Sequence, residues 1–151
     1  MELTKYEKLM KNVALAYAVI FVVAVLVFIF LPGVLLDLIN SLSRFVMPSL
    51  PLATDDGKFW LSMTVSMMAT ITALCLFIYR DVRQYATMAL PLVVAKYTSS
   101  LFGIGFFLIG MIFTETRWNT LANLIIFISD FPLGTLMLIL YKKLQQEKAA
   151  S

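Results

Sequence analysis

The stretch VALAYAVIFVVAVLVFIFL, residues 13–31, contains no charged side chain over 19 consecutive positions. A helix of about 20 apolar residues spans the hydrocarbon core of a bilayer, because it satisfies its own backbone hydrogen bonds. Three further stretches are long and predominantly apolar, at residues 59–79, 85–113 and 121–141, and they contain only two charged residues, Lys96 and Asp130. The chain is 61% hydrophobic and 14% charged, whereas a soluble domain is about half apolar and a quarter charged. The sequence therefore predicts an all-α integral membrane protein, an antiparallel four-helix bundle that forms one transmembrane domain over residues 1–151.

A shorter amphipathic segment follows the first span at residues 33–47. On a helix, Asp37 and Arg44 fall on one face, while three leucines and Phe45 fall largely on the other. This pattern predicts an amphipathic helix in the outer membrane interface, or an extension of the first span beyond a bend at the Pro-Gly pair before it.

Basic residues are concentrated near the ends of the chain and between the second and third spans. Four spans place these regions on one side of the membrane. That side carries Lys5, Lys8, Lys11, Arg80, Arg83, Lys142, Lys143 and Lys148, and the opposite side carries Arg44, Lys58 and Arg117. Since cytoplasmic segments carry the excess of lysine and arginine, we expect a multi-pass protein of the plasma (inner) membrane with both termini in the cytoplasm.

The composition also limits the cofactors and catalytic groups that we expect in this protein. Histidine is absent and Cys75 is the single cysteine, so we expect no metal site, no haem or other cofactor, and no internal disulfide. We find no nucleophile–base motif and assign no catalytic residue. The formal charge of +3 arises from residues near helix ends, which is typical of membrane topology. The expected partner is the lipid bilayer and not nucleic acid; the sequence leaves a homo-oligomer or a larger membrane complex open.

Two charged residues interrupt the apolar spans. Lys96 lies twelve residues beyond Gln84, and Asp130 lies twelve residues before Lys142, so each is about 18 Å from the inner end of its span. A lone charge near the midplane costs roughly 2.5–3.5 kcal/mol on insertion scales. Because the two spans are neighbours of opposite direction, we predict that Lys96 and Asp130 pair with each other.

Small and polar residues recur on the faces that would surround this pair. We predict a ligand or proton site whose members are Lys96, Asp130, Ser99, Ser100, Ser66, Thr70 and Asn123. Pro91 and Pro132 are expected to distort their helices nearby. Ser, Thr and Gly also serve as ordinary packing residues between membrane helices, so a purely structural role for the pair is the alternative.

Three classes of function fit these features. The first is a membrane protein whose Lys–Asp centre binds or moves a proton, an ion or a small lipid-like ligand. The second is a non-catalytic accessory or assembly subunit of a larger membrane complex. The third, an intramembrane enzyme acting on a lipid or quinone-like substrate, ranks last because no catalytic motif is present.

Overall fold

The computed structural model describes residues 3–53 and 58–150, and within these ranges every regular element is helical. The α-helices in chain order are α1 (Lys5–Phe30), α2 (Pro32–Val46), α3 (Lys58–Arg80), α4 (Val82–Tyr85), α5 (Ala89–Ile112) and α6 (Leu121–Ala150). Helical segments long and apolar enough to cross a membrane lie at Lys5–Phe30, Ser62–Arg80, Val82–Ile112 and Leu121–Ala149. The prediction of an all-α chain with four such segments is confirmed, and the first and last helices extend well beyond the predicted spans.

Local sequence signals set both ends of α1. At its start the Thr4 hydroxyl accepts a hydrogen bond from the Glu7 backbone N–H, and the Glu7 carboxylate accepts one from the Thr4 backbone N–H. This capping box satisfies donors that the first turn leaves free. At the other end Leu31 leaves the helical conformation, with φ −134° and ψ 41°, directly before Pro32. A residue before proline disfavours the α conformation, so the chain bends there and α2 begins at the proline.

The connection from α3 to α5 differs from the prediction of a span that begins at residue 85. The Asp81 carboxylate accepts hydrogen bonds from the backbone N–H groups of Arg83 (2.9 Å) and Gln84 (3.2 Å), so a helical path starts at α4. A 3-10 turn at Ala86–Met88 then separates α4 from α5. Pro91 cannot donate to the carbonyl one helical turn earlier, which lies in this 3-10 turn, so the change of geometry occurs where the proline predicts it.

Most contacts between helices fall within two pairs, α1 with α3 and α5 with α6. Glycines bring α5 and α6 close together. A Cβ added at Gly103 would lie 2.8 Å from the Asn123 carbonyl oxygen, and one at Gly110 would lie 2.7 Å from the Trp118 carbonyl carbon. At Gly103 the backbone of α5 therefore lies against that of α6, and at Gly110 it lies against the segment that precedes α6.

The hydrophobic core lies towards the end of the molecule that holds the start of α1 and the end of α6. Its fully or almost fully buried members include Met10, Ala14, Cys75, Ile78, Leu92, Met137, Leu140 and Leu144. No residue of α1 beyond Phe21 is buried, and no described side chain of α3 before Ile71 is buried. The α1–α3 pair is thus packed against the α5–α6 pair mainly at this end, which we call the inner end.

Helix α2 has a large apolar face that does not pack against the other helices. Leu38 and Phe45 on this face are 64% and 88% exposed. The opposite side holds the buried Ser43, and the Asn40 side chain bonds the backbone of Ala53 at 2.9 and 3.0 Å. The helix spans residues 32–46, close to the predicted 33–47, and it is amphipathic.

Candidate functional site

The centre of the site is a buried ion pair between α5 and α6. The Lys96 Nζ lies 2.7 Å from Oδ1 of Asp130, and the Ser99 hydroxyl donates a hydrogen bond to Oδ2. The Lys96 side chain is 6% exposed and the Asp130 side chain is 15% exposed. Both carboxylate oxygens therefore have a donor, and the ammonium group has an anionic partner, as buried charges require.

Close backbone approach at Gly134 brings the two helices into this register. A Cβ added at Gly134 would lie 3.1 Å from Cβ of Lys96 and 3.3 Å from ring carbons of Tyr97. The Tyr97 and Thr135 hydroxyls are also hydrogen-bonded at 3.1 Å, and these two residues directly follow Lys96 and Gly134 in the sequence. A small residue at position 134 thus allows the lysine stem to lie against α6 and its amine to reach Asp130.

Helix α1 contributes two aromatic residues that the sequence reasoning missed. The Lys96 Nζ lies 4.2 Å from the centre of the Phe21 ring, which is a cation–π geometry. The Tyr17 hydroxyl donates to the Leu133 carbonyl oxygen at 2.9 Å. Tyr17 is the most polar side chain in the stretch 13–31, and a buried tyrosine hydroxyl normally has a partner, so this was the available signal. Phe21 lies one helical turn further along the same face.

Ser100 is the one predicted site residue that is buried but unpaired. It is 2% exposed, and its hydroxyl has no hydrogen-bond partner among the described residues. It lies one turn beyond Lys96 on the same face of α5, and both side chains are buried. An unpaired hydroxyl in such a place is a polar group whose hydrogen-bonding capacity is unused.

The structure does not bring the other three predicted residues to the ion pair. Ser66 and Thr70 are exposed on α3 and bond to carbonyls of their own helix, those of Met63 and Ser66 respectively, each at 2.9 Å. The Asn123 side chain donates to the Trp118 carbonyl at 2.7 Å, near the start of α6 and two turns from Asp130. The expectation that polar faces of three helices meet in one interior therefore fails for α3.

A second polar cluster lies at the inner end and was not predicted. Arg83 donates to both carboxylate oxygens of Glu7, from Nε at 2.8 Å and from Nη2 at 3.0 Å. The Thr4 hydroxyl donates to Glu147 of α6 at 2.6 Å, and the Lys148 amine donates to the Arg83 carbonyl at 3.4 Å. These bonds tie the start of α1, the segment after α3 and the end of α6 to one another.

The bonds to Glu7 also shift ionisation. The hydrogen bonds from the Arg83 side chain are the main cause of a pKa of the Glu7 carboxyl below its usual range; burial opposes this shift and the Thr4 N–H supports it. The same bonds raise the pKa of Arg83. Glu7 is the single acid in the described basic segment before residue 13, which was its only signal in the sequence.

The chemistry available at the Lys96 centre is that of one cation, one carboxylate and two hydroxyls. Within residues 3–53 and 58–150, no cluster of three His, Cys, Asp or Glu side chains is placed to hold a metal ion. The groups present can exchange protons, or can change partners if the two helices separate. No known protein family, curated protein or solved structure matches this chain.

Proposed function

We propose that this chain is an integral membrane protein of the plasma membrane, with its four apolar helical segments in an antiparallel bundle and both termini in the cytoplasm, and that its Lys96–Asp130 centre takes up and releases a proton. The lengths and apolar character of the four segments support the membrane placement. Large exposed apolar side chains on all four long helices also support it, because lipid is the solvent they suit. The excess of basic residues at the inner end supports the orientation.

The topology has a direct test. Reporters active only in the cytoplasm, or only outside it, are fused after Lys148 and inserted at Met47. A cytoplasmic signal after Lys148 and an external signal at Met47 are expected. An external signal after Lys148 would overturn the orientation.

The observation that carries the functional proposal is the burial of an ionisable pair whose members differ in exposure. Asp130 is the more exposed partner, so we assign the uptake of the proton to its carboxylate. Protonation turns its carboxylate into a neutral acid and leaves the Lys96 ammonium beside Phe21 without a counter-charge. A buried charge without a partner is strongly unfavourable, so uptake of a proton drives a change of contacts. Pro132, inside α6 two residues from Asp130, weakens the helix where that change is needed.

Among the ligand classes that the sequence allows, a proton fits this centre best. The Lys96 side chain is almost fully buried, and the lysine stem and the Tyr97 ring are packed tightly against Gly134. A larger ion or a lipid-like molecule would need this contact to open widely. A proton needs only to reach the Asp130 carboxylate, which already contacts the Lys96 amine and the Ser99 hydroxyl.

The test is a proton-flux assay in sealed proteoliposomes that contain a pH-sensitive dye. Wild-type protein under an imposed pH gradient should dissipate the gradient faster than protein-free vesicles. Asp130→Asn should remove this flux, because an amide does not act as an acid or a base that takes up and releases a proton. Ser66→Ala is the matched control, since its hydroxyl is exposed and bonds only its own helix. Equal flux from wild type and the folded Asp130→Asn variant contradicts the proposal.

The burial and tight packing of the same site also favour a second function. Both charges belong to one helix pair, and every charged atom of the pair has a partner, as expected of a joint that fixes helix register. In that case the chain is an accessory or assembly subunit of a larger membrane complex. The double variant Lys96→Met with Asp130→Asn separates the two functions: full activity of the folded variant in its native membrane supports the joint, and loss of activity supports the proton site.

A further inference from the structure

Basic and aromatic side chains lie together on the surface where α1 and α3 meet at the inner end. The Lys11 Nζ of α1 lies 5.0 Å from the centre of the Tyr79 ring at the end of α3. Lys8 precedes Lys11 by one turn on the same face of α1, and Arg80 follows Tyr79. Lys8 and Arg80 are exposed and Lys11 is partly exposed. We call these four residues the inner groove.

The positive charge of the inner groove has no carboxylate partner among residues 3–53 and 58–150. The described acidic residues at this end are all engaged elsewhere. Glu7 is bonded by Arg83, Asp81 accepts the backbone N–H groups at the start of α4, and Glu147 accepts from Thr4. Within the described ranges no carboxylate lies in ion-pair distance of Lys8, Lys11 or Arg80.

Exposed apolar side chains continue from the groove towards the middle of the helices. On α1 these are Leu15 and Val19, one and two turns beyond Lys11 on its face. On α3 the corresponding residue is Leu76, one turn before Arg80. A basic and aromatic layer thus lies directly above an apolar surface, and Tyr79 is of the type that prefers the headgroup layer of a membrane.

We propose that the inner groove binds an anionic phospholipid of the inner leaflet, with its phosphate between Lys8, Lys11 and Arg80 and its acyl chains along Leu15 and Leu76. Basic side chains bind phosphate as charge-assisted donors, and the apolar strip supplies what a free phosphate ion does not use. Charge complementarity selects an anion, and the exposed apolar side chains beside the basic residues favour a lipid over a soluble anion. The inference rests on the membrane placement proposed above and is independent of proton exchange at Lys96.

The test measures thermal unfolding of the purified full chain in a neutral detergent with added lipid. Phosphatidylglycerol should raise the melting temperature in a saturable way, because a ligand that binds the folded state stabilises it. Phosphatidylcholine and inorganic phosphate should raise it much less. The triple variant Lys8→Gln, Lys11→Gln, Arg80→Gln should bind phosphatidylglycerol about 100-fold more weakly, from roughly fivefold per basic residue near an anionic surface.

The matched control removes three positive charges elsewhere, with Lys142→Gln, Lys143→Gln and Arg117→Gln. It should keep the phosphatidylglycerol effect. If control and triple variant lose the effect equally, the interaction is with overall charge and the groove is not a site. An unchanged effect in the triple variant, or a full effect from inorganic phosphate alone, also overturns the proposal.

A second variant covers the case in which the triple variant does not fold. Replacing Lys8 and Lys11 by arginine keeps the charge and the donors, so the lipid effect should persist, and its loss contradicts the phosphate contact. If the lipid proposal fails, the proton-flux proposal is unaffected, since the flux assay depends on Lys96 and Asp130. An incorrect membrane placement is detected separately by the reporter fusions.

Discussion

Both single substitutions that break the Lys96–Asp130 pair should destabilise the protein, and Asp130→Asn should do so more than Lys96→Met. Removing one partner of a buried ion pair costs about 3–5 kcal/mol. Asp130→Asn leaves the buried ammonium with the Phe21 ring, and a cation over an aromatic ring retains about 0.5–2 kcal/mol, so we expect a loss of about 3 kcal/mol. Lys96→Met leaves a carboxylate that keeps the Ser99 hydroxyl and is 15% exposed, so we expect about 2 kcal/mol.

The double variant should cost far less than the sum of the two. With both charges gone, no unpaired ion is buried, and the amide still accepts the Ser99 hydrogen bond. We expect a total loss of about 2 kcal/mol against an additive value of about 5, a coupling of about 3 kcal/mol. Equilibrium unfolding in mixed micelles of a neutral detergent and sodium dodecyl sulfate, followed by circular dichroism, gives each free energy. Additivity within about 0.5 kcal/mol would refute the pairing argument.

Two other substitutions test features outside the centre. Arg83 lowers the pKa of Glu7, so the Glu7–Arg83 pair stabilises the protein above the ordinary carboxyl pKa, and this stabilisation is lost as the pH falls through the lowered pKa. Glu7→Gln should therefore reduce stability at neutral pH and weaken the fall of the melting temperature at acid pH, which we call the acid limb. An acid limb unchanged by Glu7→Gln contradicts that role. Gly110→Ala should cost about 1–3 kcal/mol in the same unfolding assay, because its Cβ would overlap backbone atoms of Asn119 and the backbone cannot give way easily. Gly105→Ala, where nothing lies within 4 Å, is the control and should change stability by about 1 kcal/mol at most, in the stabilising direction; equal effects of the two would count against close packing of α5 on the segment that precedes α6.

The helical architecture was predictable because apolar length and proline are local signals. The run at residues 13–31 needs no tertiary information to become a helix, and Pro32 marks its end through a steric effect on Leu31. The pairing of Lys96 with Asp130 was predicted by counting residues inward from the ends of two neighbouring spans. That argument works because helix rise is constant and the connecting segment is short.

The direction of a polar stripe was not predictable in the same way. Ser66 and Thr70 share one face of α3, but their hydroxyls bond carbonyls of their own helix, so nothing forces that face inwards. The contact of Glu7 with Arg83 joins residues 76 positions apart outside the apolar runs, where counting from a membrane boundary gives no register. Phe21 over Lys96 depends on how two helix pairs dock, which residue periodicity alone does not determine.

The concentration of the core at the inner end has a mechanical consequence. The α1–α3 pair is anchored by the buried cluster around Met10, Cys75 and Leu144, while no side chain described in its outer half is buried. Any rocking of one helix pair against the other therefore has its pivot near the inner end, and displacement grows along the helices with distance from that pivot. Phe21 lies where the buried part of α1 ends, so a small tilt lifts the ring from Lys96 before it disturbs the core. Helix α2, attached to the far end of α1, travels furthest and carries its apolar face with it.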